Sequence, residues 1–141
     1  DTHSRNAESL KGLCARTDQP SAALVKDLRQ RGLLDSTIVI WTGEFGRLPI
    51  SQGADGRDHN RHAFSLWLAG GGFKRGYVHG ATDSFGYASV ENIVNVQDLH
   101  ATLLASLGLD HVRLTVPYDG RDTSLTDAEV THAKVIGELM N

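Results

Sequence analysis

Cys14 is the only cysteine among 141 residues, which excludes an internal disulfide and a cysteine-based zinc framework. Any metal site in this chain must therefore draw on imidazole and carboxylate. No apolar run approaches the ~20 residues that cross a bilayer, the longest being Ile38 to Trp41 and Phe64 to Ala69, so no membrane span is expected. Basic excess is also missing: 14 Lys and Arg stand against 17 Asp and Glu, a formal charge of -3, which argues against a nucleic-acid partner. There is no internal repeat and no low-complexity linker. The triple glycine at Gly70 to Gly72 is not followed by Gly-Lys-Ser/Thr, so it is no phosphate-binding P-loop. The chain opens on Asp1 without an initiator Met or a signal core, and reads as a mature or truncated product. Cys14, with no base beside it, reads as a small buried hydrophobe.

What is present fits one domain over residues 1–141, long enough to bury a core. "PSAALVKDLRQR", Pro20 to Arg31, predicts a helix with Pro at an early position, Leu24, Val25 and Leu28 on one face and Gly32 as the stop. "TIVIWT", Thr37 to Thr42, is β-branched and apolar without alternation, the pattern of a strand covered on both faces in a parallel sheet. "FSLWLA", Phe64 to Ala69, is a second strand of that kind. Asn95 and Asp98 form a capping box for a helix that carries Leu99, Leu103 and Leu107 and stops at Gly108. Thr126 and Glu129 form another, opening a terminal helix with Val130, Ile136 and Leu139. Helices alternating with such strands point to an α/β fold, although two or three strands are few for a doubly covered sheet: either further strands are hidden or the chain is part of a larger domain.

Between the two strands lies a polar segment, Gly43 to Asn60, read as a long loop leaving the carboxyl end of the first strand, where sites of open α/β sheets are found. Glu44 sits two residues past the strand. Asp58, His59 and His62 come at the far end of the loop, where chain reversal would return them towards Glu44. Carboxylate oxygen with imidazole nitrogen suits Zn or Mn, and Ca or Mg where carboxylates dominate. Asp1 and His3 in "DTHSRN" supply a further pair, and Arg47 and Arg57 are candidates to hold an oxyanion. Each has a plainer reading too: Glu44 as a solvated charge, Asp58 in an Asx turn, His62 on a strand surface, the arginines in water. His79, His111 and His132 read as surface residues.

Several stretches, in order, carry a resemblance: "DTH", "LLDSTIVIWTGEFGR", "GRDHNRHAFSLWLAGGGFKRG", "GATD", "VQDLHATLLASLGLD" and "GRDTSLTD". Over essentially all 141 residues the sequence resembles the C-terminal half of the sulfatase-like proteins known as domain of unknown function 1501, within the alkaline phosphatase-like superfamily. The resemblance implies the C-terminal part of a three-layer α/β sandwich with a mainly parallel sheet. It also implies a divalent-metal site and a small phosphate or sulfate ester, or a sulfated glycan, as ligand. A periplasmic or secreted location follows from the same resemblance. Glu44 takes the place of the metal-binding Asp of the sulfatase segment Ser-Asp-His-Gly, and Phe45 takes the place of its His. His59 matches the superfamily histidine that precedes the next core strand, with His62 as the alternative, and Asp1 and His3 resemble the pair that holds one metal in alkaline phosphatases. Leu48 stands where the family commonly has Thr.

No residue matches the superfamily nucleophile, which lies near the start of the full domain. The expectation is part of a metal-dependent phosphate or sulfate ester hydrolase, with no efficient turnover by this chain alone. The alternative, favoured by Phe45, is a non-catalytic scaffold of the same shape that binds metal, glycan or protein. An incomplete sheet would also leave edges open to self-association.

Overall fold

A computed structural model of the chain describes residues 2–51 and 53–141. The chain divides into two compact units, Asp1–Gly70 with Gly80–Asn92, and Gly71–His79 with Ile93–Asn141.

In the first unit the expected helix is longer than its apolar stripe. It runs over Asn6–Gln30 as α1, with Pro20 inside it instead of at its start. Ala7, Leu10, Leu13 and Ala15 are strong helix formers, and their summed preference carries the helix through Gly12 and Pro20, each of which costs propensity. None of its residues is buried. Cys14 is exposed on this helix, which corrects its reading as a buried hydrophobe.

The two expected strands exist as β1 (Ile38–Thr42) and β4 (Leu66–Gly70), and they pair with each other. They run antiparallel, Ile38 opposite Gly70 and Thr42 opposite Leu66. The reading of β1 as a strand covered on both faces is corrected here, because Ile40, Trp41 and Thr42 are exposed. Trp41 and Trp67 face each other directly across the ladder with ring centroids 6.3 Å apart. Such a cross-strand aromatic pair stabilises a two-stranded ladder without a covering layer. Inside the segment read as irregular lies a second ladder, β2 (Gly46–Arg47) with β3 (His59–Asn60). A third joins β5 (Ala81–Thr82) to β6 (Ser89–Glu91). Leu34 and Ala63 are the buried apolar side chains of this unit, beside the buried polar Thr2 and Asn60.

The second unit is built on α2 (Val96–Ser106), which opens with the expected capping box: the Asp98 carboxylate accepts the Asn95 N–H at 3.0 Å. The same buried carboxylate accepts the Lys134 N–H at 2.9 Å, and the Thr102 hydroxyl accepts the Ile136 N–H at 2.9 Å, so α2 also holds the chain's last segment. The terminal helix expected from Thr126 contracts to α3 (Ala128–Thr131), stopped by His132 at φ 54°. Between α2 and α3 a hairpin, β7 (Thr115–Tyr118) with β8 (Arg121–Ser124), turns at Asp119–Gly120 with φ 49° and 78°. Both central residues at positive φ make the kind of turn for which Asp-Gly is favoured. His111, read as a surface residue, is buried with its Nδ1 2.9 Å from the Thr126 hydroxyl. Phe73, Ala101 and Ile136 are buried here. All strand pairings among the described residues are antiparallel, and none of the described helices is long and apolar enough to cross a membrane.

Candidate metal centre

Three segments of the first unit converge on one site. Residues 2–6 are stitched to residues 55–57: the Thr2 carbonyl accepts the Arg57 N–H at 2.9 Å, and the Asp55 carbonyl and carboxylate accept the Asn6 and Arg5 N–H groups at 3.0 and 3.1 Å. Gly56 lies where a Cβ would overlap the His3 carbonyl oxygen, so only glycine lets the two segments approach this closely. The third segment is β2, registered against β3 with Arg47 opposite His59 and extended by the Leu48 N–H donating to the Asp58 carbonyl at 2.8 Å.

This scaffold brings His3, Asp58 and His59 together. His3 Nδ1 lies 3.1 Å from Asp58 Oδ1, and His3 Nε2 lies 3.0 Å from His59 Nε2. The Phe45 ring packs on the His59 ring at 4.2 Å between centroids, and the Arg47 guanidinium sits 5.5 Å over Phe45. Three of the six metal candidates thus meet, across 55 positions of sequence between His3 and Asp58. Asp1, two residues before His3, lies outside the described residues.

The other candidates are placed differently. Glu44 is turned to Arg47, with Oε1 3.4 Å from Nη2, and its side chain is 63% exposed. Arg57 donates from Nη1 to the Gly56 carbonyl at 2.6 Å, so it serves the bend beneath His3. His62 stands beside Tyr87, ring centroids 5.0 Å apart, in a shallow cleft of about 330 Å³ lined also by Phe45, Leu48, His59 and Arg61. His59 is shared by cleft and cluster. Asn60, 1% exposed, fixes two walls of that cleft, its Nδ2 donating to the Tyr87 carbonyl at 2.8 Å and its Oδ1 accepting the His62 N–H at 2.9 Å.

Tyr87, Arg61 and Asn60 join the site beside the residues that the sequence singles out. Arg61 was within reach of the same motif, since it falls between His59 and His62. Tyr87 carries no local signal, because the contact that places it is to its backbone carbonyl. Its loop is held by Asp83, whose carboxylate accepts N–H bonds from Phe85, Tyr87 and Ala88 at 2.9–3.0 Å. Those donors, that of Tyr87 first, hold the Asp83 carboxyl below its ordinary value.

The donor set fits a divalent ion of the Zn or Mn type in part. Two imidazole nitrogens face one another at near ligand spacing, yet among the described residues no group of three His, Cys, Asp or Glu side chains is arranged to hold an ion. A complete coordination shell here needs donors besides these two.

Neither the curated proteins nor the solved structures contain a match to this chain. A family model does match it over residues 1–140, and the chain belongs to that family, described as "Protein of unknown function (DUF1501)".

Proposed function

We propose that the chain is part of a metal-dependent phosphate or sulfate ester hydrolase of the sulfatase and alkaline phosphatase type, its wider fold the three-layer α/β arrangement of that superfamily. One observation carries the reading: His3 Nε2 and His59 Nε2, each singled out through its motif, lie 3.0 Å apart. A divalent ion bound there, Zn or Mn by ligand preference, would polarise the ester oxygens as a Lewis acid. His3 and His59 would be its nitrogen donors. Arg61 lines the cleft that His59 also lines and would give an ester's anionic oxygens a guanidinium to hydrogen bond, while Phe45, Leu48 and Tyr87 would shield the organic part from water. Glu44 and Arg47, salt-bridged to each other, flank the site as a ligand and an anion contact that would have to separate to take part. The resemblance assigns no nucleophile to these residues, so the 141-residue chain is expected to bind metal and ester without turning the ester over.

Elemental analysis of the purified chain tests this. Near-stoichiometric zinc or manganese in the wild type, lost in a His3→Ala, His59→Ala double variant, is the expected result. Absence of metal from the wild type after incubation with excess zinc or manganese sinks the reading. A second reading, a scaffold that binds without catalysis, is favoured by one feature: Phe45 lays an apolar ring on His59 where the superfamily segment has a ligand. The two part on the complete protein, in which hydrolysis of aryl phosphate and aryl sulfate would decide for the enzyme.

A further inference from the structure

Asp58 and His59 are consecutive, yet they meet opposite edges of a single imidazole. Asp58 Oδ1 is 3.1 Å from His3 Nδ1, and His59 Nε2 is 3.0 Å from His3 Nε2. A carboxylate oxygen accepts and does not donate, so the proton of this hydrogen bond belongs to His3 Nδ1. In the neutral ring the lone pair is then on Nε2, where it accepts the His59 Nε2–H at 3.0 Å. The Asp58 oxygen bonded to Nδ1 lies across the ring from that lone pair, on the side away from any ion shared with His59.

We propose that Asp58 is a positioning residue and not a metal ligand: it fixes His3 in the Nδ1–H tautomer so that His3 Nε2 and His59 Nε2 form one pair of donors. Ligating histidines characteristically donate their other N–H to a carboxylate, which sets the tautomer and ring orientation. Two nitrogens bound to one tetrahedral zinc at 2.0–2.1 Å stand about 3.3 Å apart, so an ion would enter as the pair opens by a few tenths of an ångström and His59 moves its proton from Nε2 to Nδ1. The backbone makes the arrangement firm. The Asp58 carbonyl is tied to Leu48, its neighbour Arg57 to the Thr2 carbonyl, and the side chain is a quarter exposed against a half for His3. The metal half of this assignment rests on the proposed function; the tautomer half stands without it.

The two halves are measured separately on the 141-residue chain. Long-range proton–nitrogen spectra of the metal-free protein at mildly alkaline pH read the tautomer of His3. Wild type is expected to show Nδ1–H, Asp58→Ala to revert towards the Nε2–H form, and Asp58→Asn to keep Nδ1–H because its amide oxygen still accepts. Cobalt(II) is then titrated in as a spectroscopic stand-in for zinc. Asp58→Ala should bind about 10–100-fold more weakly, whereas Asp58→Asn should give a visible spectrum of wild-type shape and intensity, the donor set being unchanged. A Nε2–H tautomer in wild type overturns the positioning role. An altered cobalt spectrum in Asp58→Asn, or loss of cobalt as complete as in His3→Ala, makes Asp58 a ligand. Wild type that takes up no cobalt overturns the ester-hydrolase reading and the donor pair together, while the metal-free spectra still decide whether Asp58 orients His3.

Discussion

Asn60 does two tasks with one side chain, joining β3 to the loop that carries Tyr87 while shaping the turn to His62. At 1% exposure it has no water to replace either partner. Removing its amide in Asn60→Ala leaves the Tyr87 carbonyl and the His62 N–H to find new partners, at roughly 1–3 kcal/mol for each group that stays unsatisfied. The variant should lose about 2–6 kcal/mol in urea unfolding if both groups stay unsatisfied. Asn60→Asp keeps the acceptor for His62 but sets a buried carboxylate against the Tyr87 carbonyl, so at neutral pH it should lose at least as much as Asn60→Ala. A clearly smaller loss in Asn60→Asp would mean that the Tyr87 bond carries little of the effect.

At the scale of elements, the loop between β5 and β6 is a side-chain device. The Asp83 carboxylate gathers the N–H groups of Phe85, Tyr87 and Ala88, and this holds its folded-state pKa below the ordinary 3.8. A depressed carboxyl contributes stability that is complete above the unfolded value and is lost as pH falls through the lower folded one. The Tyr87 and Ala88 amide resonances should therefore move together in a single titration with its midpoint below 3.8, which Asp83→Asn abolishes. Amides that shift independently would dissolve the link. Elements of this kind explain what the sequence made legible. The α2 capping box is written in adjacent residues, Asn95 and Asp98, and stands as read. The β7–β8 hairpin is also written locally, in Asp119-Gly120, although Pro117 within its short first strand weakens the flanking pattern. The α1 start is hidden in the sequence because Pro20 resembles a first-turn proline, whereas the upstream residues hold the helix against it. In the site, the Asp58-His59 dipeptide and His3 stood out through motif order. Tyr87 did not, since its position is set by a backbone carbonyl and by a buried asparagine 27 residues away. Tertiary bonds to main-chain atoms leave no trace in residue type.

At the scale of the molecule, each unit has a small apolar core. Leu34 and Ala63 are buried in the first and Phe73, Ala101 and Ile136 in the second, while Ile40, Trp41, Phe64 and Trp67 stay more than a third exposed. Burial on that scale contributes little against chain entropy, so a ligand that binds only the folded site should weigh heavily in the balance. His3 and Asp58 are 55 positions apart, and a metal held by His3 and His59 would close a comparable length of chain, a geometry that the unfolded state does not keep. By mass action, zinc at 100 times its dissociation constant adds about 2.7 kcal/mol to the unit that carries the site. Its melting temperature should rise by roughly 10–20 °C, and the rise should grow with the logarithm of zinc concentration. His59→Ala should melt at a temperature indifferent to zinc. Asp58→Ala should show the same logarithmic slope as wild type displaced to higher zinc, as expected if Asp58 tunes the donor pair without belonging to it. Calorimetric scans of the three proteins across a zinc series make the comparison. A zinc-dependent rise that persists in His59→Ala would move the metal away from this pair, and with it the case for an ester-hydrolase site at residues 3 and 59.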